Sequence, residues 1–224
     1  MEKINADKII RTRRRTIALI ITPDARLIIR APFLVSNKCI DKFIYEKRFW
    51  IKKKTDEAIR KLKKITQKKF INNENFLYIG KEYKLKIVKN SDCALKFNNG
   101  FVLSERNTYK AKQIFINWYK QMAYIKISER VKLYAEKNKI RFRKISITNA
   151  QKRWGSCSFI GNLNFSWRLI MSPLDVIDYV VVHELSHIEH KNHSKKFWNK
   201  VETMMPNYKE CKVWLNENNN LLFF

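Results

Sequence analysis

All four histidines of the chain fall in one stretch, at positions 183, 187, 190 and 193. His183 and His187 are four apart, and Glu184 follows the first of them, giving the pattern H-E-x-x-H. On an α-helix, residues four apart stand one above the other on the same face, so two imidazoles can grip one metal ion. That spacing is the zinc signature of metal-dependent peptidases. The glutamate beside the first ligand can reach a water on the ion and take its proton. The chemistry expected is therefore hydrolysis by activated water, with one Zn2+ held by His183 and His187 and with Glu184 as the base.

A third ligand must come from elsewhere. His193 lies six residues after His187, the separation found in H-E-x-x-H-x-x-G-x-x-H, where glycine turns the chain back to the metal. Here His190 stands at the glycine position, so the turn is expected at Asn192, which tolerates a left-handed helix C-cap. His190 continues the stripe of His183 and His187 about a turn further on and would have to leave helical geometry to reach the same ion. His193 is the preferred ligand, and a carboxylate from the next helix, such as Glu202, is the other alternative. Water would fill the fourth position.

Arg153-Trp154-Gly155-Ser156-Cys157 is a second distinctive segment. A glycine inside a strand often marks close approach of another backbone. Arg153, Trp154, Gly155 and Ser156 are therefore candidate substrate-binding residues on an edge strand, which would pair with extended peptide. Arg153 could neutralise an anionic group. The competing reading is a bulge with Trp154 and Cys157 in the core. Tyr208 could donate to an oxyanion, although a helix-packing role suits it better.

These residues need a buried helix and a sheet to position them. Ser172 as N-cap, Pro173 at the first helical position and Asp175 in a capping-box position start the metal helix. Ile177, Val180, Val181 and Val182 make it apolar nearly all round, so it belongs in the core. Before it, Ile145–Thr148 alternates as a strand, and the 153–158 and 163–170 segments form a hairpin. A long helix is expected over about 110–137, with Ile114, Trp118, Met122 and Ile125 on its apolar side and Val131, Leu133 and Tyr134 extending it. After it come helices from about Ser194, with Phe197 and Val201 inward, and from about Asn207. The apolar tail Leu221–Phe224 either docks or stays loose.

Upstream, Thr16–Ile21 and Arg26–Arg30 read as a β-hairpin across Thr22-Pro23-Asp24-Ala25. The preceding run Arg11–Arg15 suits a solvated strand end or a phosphate contact. Amphipathic helix runs from Asn37 to about Lys54 and continues to about Lys69, with Ile59, Leu62 and Ile65 on its apolar side. Short strands come next, and Leu95–Phe97 pairs with Phe101–Leu103 across Asn98-Asn99-Gly100. The expected class is α+β: a minimal zincin-like catalytic domain over 106–224, its helices packed on a small antiparallel sheet, preceded by a β-rich part with one or two helices over 1–105.

Composition narrows the partners. With 45% hydrophobic and 13% aromatic residues, the chain can build a core and is not of the disordered class. No apolar run reaches the roughly 18–20 residues of a membrane span, and the charged start has no apolar stretch of secretory type. Four scattered cysteines without a C-x-x-C pair argue against a cysteine zinc site and against a disulfide framework, so a reduced, cytoplasmic setting is expected. The net charge of +27 suits a polyanionic partner such as a nucleotide or nucleic acid. Its lysines are spread along the whole chain, however, as coding bias toward Lys, Ile and Asn would spread them.

With those residues in view, the chain resembles the YgjP-like family of metal-dependent hydrolases, relatives of SprT-like and other minimal zincin domains. The likeness rests on Arg153–Cys157, Asn164–Leu169, Asp178–His187 and Asn192–Trp198. Weaker matches lie around Pro23-Asp24 and over Lys47–Ile51. The resemblance implies zinc and hydrolysis, and its N-H-S context favours His193 as third ligand. Three readings are open: a zinc peptidase acting on peptide or protein, a metal hydrolase of nucleotides or other phosphorylated substrates, and a nucleic-acid-associated module with a structural zinc. Glu184 speaks against the last, since a structural site needs no base.

Overall fold

The computed structural model describes residues 4–22, 24–64, 68–89, 91–218 and 222. The chain is α+β with small mixed sheets and six α-helices among the described residues. It divides into two compact units between residues 66 and 67, whereas the sequence pattern places a boundary near 105. The difference lies in the strands between those two positions. Phe76, Leu85, Phe101 and Leu103 share one core with Phe115, Tyr119 and the metal-signature helix, so their sheet belongs to the C-terminal unit.

In the first unit, β1 (Lys8–Thr12), β2 (Ala18–Ile21) and β3 (Leu27–Pro32) form one sheet in the order β1-β3-β2. β2 and β3 are the expected hairpin, paired antiparallel; Pro23 of its turn lies outside the described residues. β1 is an additional strand and runs parallel to β3. It takes in Arg11, whose guanidinium donates to the carbonyls of Pro32 and Val35 and, at 2.6 Å, to Asn37 Oδ1. This arginine of the basic run is thus tied into the fold. Leu27, Ile29 and Ala31 of β3 pack with Ile40, Ile44 and Ile51. Of the one or two helices expected, there are two, α1 (Asn37–Glu46) and α2 (Arg48–Lys64), broken at Lys47. Ser36 caps α1 by accepting from the Cys39 amide. The side chain of Leu62 and all of Ile65 lie outside the described residues.

The second unit opens with β4 (Asn75–Tyr78), β5 (Lys81–Val88), β6 (Leu95–Phe97) and β7 (Phe101–Ser104), in the order β4-β5-β7-β6. β6 and β7 form the Asn-Gly hairpin, with Asn99 at φ 50°. Their aromatic face meets α3 (Ala111–Lys137) through Phe76, Phe101 and Phe115. The buried ridge of α3 is Ala111, Phe115, Tyr119, Ala123, Ile127, Val131 and Ala135. Ile125 is exposed, and Ile114, Trp118 and Met122 only flank the core. Of the stripe read from the large side chains, only Val131 lies on the buried ridge. The helix instead packs closely along a row that includes three alanines, which larger side chains would hold away.

β8 (Lys144–Thr148), β9 (Gly155–Cys157) and β10 (Asn162–Ser166) form the sheet nearest the signature, in the order β8-β10-β9. β9 and β10 are the expected hairpin, but β8 runs parallel to β10, so the sheet is mixed rather than antiparallel. A 3-10 turn at Trp167–Met171 leads into α4 (Leu174–Glu189), followed by α5 (Lys195–Met204) and α6 (Tyr208–Asn218). Leu222 of the tail is buried in this core; the rest of the tail lies outside the described residues. No described helix is long and apolar enough to cross a membrane.

α4 starts by a different device from the one expected. Ser172 does not cap it; its hydroxyl donates back to the Leu169 carbonyl at 2.6 Å, and Pro173 is the cap residue. The start is fixed by the β4–β5 turn instead. Ile79 and Gly80 donate their amides to the carbonyls of Ile170 and Met171. Gly80 sits at φ +74°, and a Cβ there would come within 2.8 Å of Pro173 Cα, so only glycine fits both the backbone and the space. Further along, Arg130 of α3 grips Asp178 of α4 with two bonds of 2.6 Å, and Tyr134 adds a third at 3.2 Å.

Candidate metal centre

His183, Glu184 and His187 lie in the last two turns of α4, a helix whose residues 176–182 are all buried. Its end comes earlier than expected. Glu189 is the last helical residue, and His190 leaves in an extended conformation, φ −126° and ψ 100°. Asn192 has no left-handed backbone; its Oδ1 accepts from the Ser194 amide at 3.3 Å. The turn that returns the chain to the helix is therefore made from His190 onward, without a residue of positive φ.

That turn brings His193 back. One nitrogen from each of His183, His187 and His193 lies within 4.8 Å of the others. The Nε2 atoms of His193 and His183 are 3.1 Å apart, close to the about 3.3 Å expected for two ligands about 2.05 Å from one tetrahedral ion. His187 Nδ1 is 3.0 Å from the carbonyl of His190. This contact sets the proton on Nδ1 and leaves Nε2 as the free donor, the way metal-binding imidazoles are oriented. His190 thus contributes its backbone and is not in the cluster. Neither is Glu202, which pairs with Lys209 at 3.1 Å. The three imidazoles therefore fit a single borderline-soft cation with an open fourth position.

Phe197, expected only as a core residue of α5, does more than fill the core. It is fully buried, and its ring centroid lies 4.9, 4.5 and 4.8 Å from those of His183, His187 and His193. It forms a common floor for all three. Trp198, next in sequence, stacks on exposed His193 at 5.8 Å and on Tyr208 at 5.5 Å, and Tyr208 stacks on Tyr179. The buried Tyr208 is thereby a packing residue. The signal for both α5 rings is their place directly after the N-H-S turn.

Electrostatics favour the neutral form of His183 and His187. Burial first, then the neighbouring histidines and Lys212, push His183 down to about 3. His187 is also lowered, mainly by burial. Burial raises Glu184 to about 8, against a smaller opposing effect of Arg153. Glu184 is 5% exposed, and its Oε2, like His183 Nδ1, is buried without a hydrogen-bond partner. The unpaired Glu184 Oε2 beside the histidine cluster is a group that a water on a bound cation would satisfy.

Gly155 explains where Glu184 sits. A Cβ on Gly155 would lie 2.6 Å from Glu184 Oε1 and 2.6 Å from its Cγ. The close approach read from the sequence is thus real, but the approaching group is the glutamate side chain, not another backbone. β9 is an edge strand pairing only with β10 among the described strands. Of the other candidates there, Ser156 faces Asn164, and half-buried Trp154 packs on the core while its carbonyl accepts from the Ser166 amide. Arg153 is exposed and, with Ser156 and Asn164, lines a polar cleft of about 230 Å³. Cys157 is half-buried, and burial raises its thiol above the usual range.

The family model described as YgjP-like, metallopeptidase domain, matches residues 15–218, and the chain belongs to that family. Two solved structures align with part of it. The metallopeptidase zymogen of Pyrococcus abyssi abylysin is 18% identical, with a TM-score of 0.37, over 41% of this chain and 93% of that one. The zymogen of Methanocaldococcus jannaschii jannalysin is 21% identical, also at 0.37, over 41% and 94%. No curated protein matches the chain.

Proposed function

We propose that the protein is a zinc-dependent peptidase in which His183, His187 and His193 hold one Zn2+ and Glu184 is the general base. The observation that carries this reading is the convergence of three imidazoles beside a buried carboxyl group whose Oε2 has no hydrogen-bond partner. A purely structural site has no use for that carboxylate. A zinc ion held there supplies Lewis acidity to a peptide carbonyl and to water. Glu184 takes a proton from the attacking water and delivers it to the leaving amine. Gly155 keeps the carboxylate close against β9, and the free edge of β9 offers backbone partners to an extended peptide. Phe197 excludes water from beneath the imidazoles.

The test joins metal analysis to turnover. Wild type and Glu184→Gln should each bind one zinc, with cleavage of peptides or unfolded protein in wild type only. Phosphate or pyrophosphate release from nucleoside triphosphates without peptide cleavage would overturn the reading. His193→Ala should lose zinc while His190→Ala keeps it; unchanged zinc in His193→Ala would sink the ligand assignment.

A further inference from the structure

We infer that the candidate site selects peptides with acidic side chains flanking the scissile bond, through Arg153, Lys191 and Lys212. The inference rests on the peptidase reading above and names its substrate class. The three cations approach the histidines from three elements. Arg153 precedes β9 and lines the cleft beside Gly155, whose missing side chain makes room for Glu184. Lys191, on the turn that returns His193, donates to the Phe159 carbonyl at 3.3 Å. Lys212 of α6 lies 4.3 Å from the centroid of the Trp198 ring on which His193 stacks.

Nothing nearby neutralises them. Among the described residues no carboxylate pairs with any of the three. Two acidic residues that follow the signature are taken: Glu189 by Lys200 at 3.0 Å and Glu202 by Lys209 at 3.1 Å. Unpaired charges of one sign on the elements around a site concentrate ligands of the other sign, and the +27 of the whole chain adds long-range steering.

A peptide suits this border better than a small phosphate ligand. Phosphate cradles converge backbone amides and cations on one point, whereas here each cation is anchored on a different element. Beside Lys191 stands Phe159, followed by Ile160, 87% and 56% exposed. A peptide buries such apolar surface, and a phosphate does not.

The experiment compares two fluorogenic peptides, identical except for Asp and Glu against Asn and Gln on both sides of the scissile bond. With zinc-loaded protein at low salt, kcat/KM should favour the acidic peptide by about tenfold or more, and added salt should erode that ratio. The triple variant Arg153→Gln, Lys191→Gln, Lys212→Gln should bring the ratio close to unity, its folding and zinc content being checked by thermal unfolding and metal analysis. Anisotropy with Glu184→Gln and labelled peptides should give the same preference in Kd, independently of turnover. Equal binding and cleavage of both peptides would overturn the inference and leave the peptidase reading standing. A preference retained in the triple variant would also overturn it. Triphosphate hydrolysis without cleavage of either peptide would overturn both.

Discussion

Glu184 is a carboxylate held where a carboxylate is costly, and its titration should show it. Between pH 4.5 and about 8 the folded, metal-free protein keeps a proton on Glu184 that the unfolded chain has released. The native state binds more protons in that window, so stability falls as pH rises through it. The full shift corresponds to about 4–5 kcal/mol at most. His183 works in the opposite direction at lower pH, gaining stability as pH rises from about 3 toward 6.5. Comparing wild type with Glu184→Gln leaves the histidine effect common to both. In chelator-treated protein, urea unfolding from pH 5 to 9 should show wild type losing stability relative to the variant, and zinc should suppress the difference by favouring the carboxylate. Parallel pH profiles in the metal-free proteins would rule out this burial effect. At this scale the sequence tells much about the ligands, because His183, Glu184 and His187 share one helix and their geometry comes from spacing alone. It tells less about Gly155. Its contact with Glu184 exists only once α4 lies on β9, and no local pattern states that packing.

Elements explain why His193 and not His190 joins the cluster. The spacing names the histidine that joins the cluster, but the chain turns at His190 and not at Asn192. A left-handed C-cap leaves a compositional mark, while an extended exit leaves none. The start of α4 departs from its local pattern in a similar way: Ser-Pro-x-Asp is a good capping pattern, but Gly80 and its neighbour Ile79 claim the end of the preceding turn. Tertiary contact overrides local preference. The elements also suggest what holds exposed His193 still. Trp198 gives it a stacking face, backed by Tyr208 from α6 and Tyr179 from α4. Orienting groups of this kind typically govern metal affinity by about 10- to 100-fold. Trp198→Ala should therefore weaken zinc binding by about that factor in a chelator competition, while Trp198→Phe, which keeps a ring, should stay within about threefold. The unfolding midpoints of the metal-free variants separate this effect from general destabilisation. Equal zinc affinity in wild type and Trp198→Ala would show that the stack does not position the ligand.

At the scale of the molecule, the residues that build the site all belong to the unit that begins at residue 67. Its core is contiguous from Phe76 through Leu222, and the first unit has a separate core on β3, α1 and α2. The family match nevertheless spans both. Two cores without shared members predict separable unfolding, since cooperativity depends on packed contact. Tryptophan makes the separation measurable: Trp50 lies in the first unit, and the five others, at 118, 154, 167, 198 and 214, lie in the second. In a Trp50→Phe chain, fluorescence reports the second unit alone. Its urea midpoint should match that of a polypeptide of residues 67–224, and far-ultraviolet circular dichroism of the full chain should add a second transition. Zinc at about 100 times its Kd should stabilise the fluorescence transition of both proteins by about 2.7 kcal/mol. A fragment that fails to fold, or that folds but binds no zinc, would mean that the first unit is needed to complete the second.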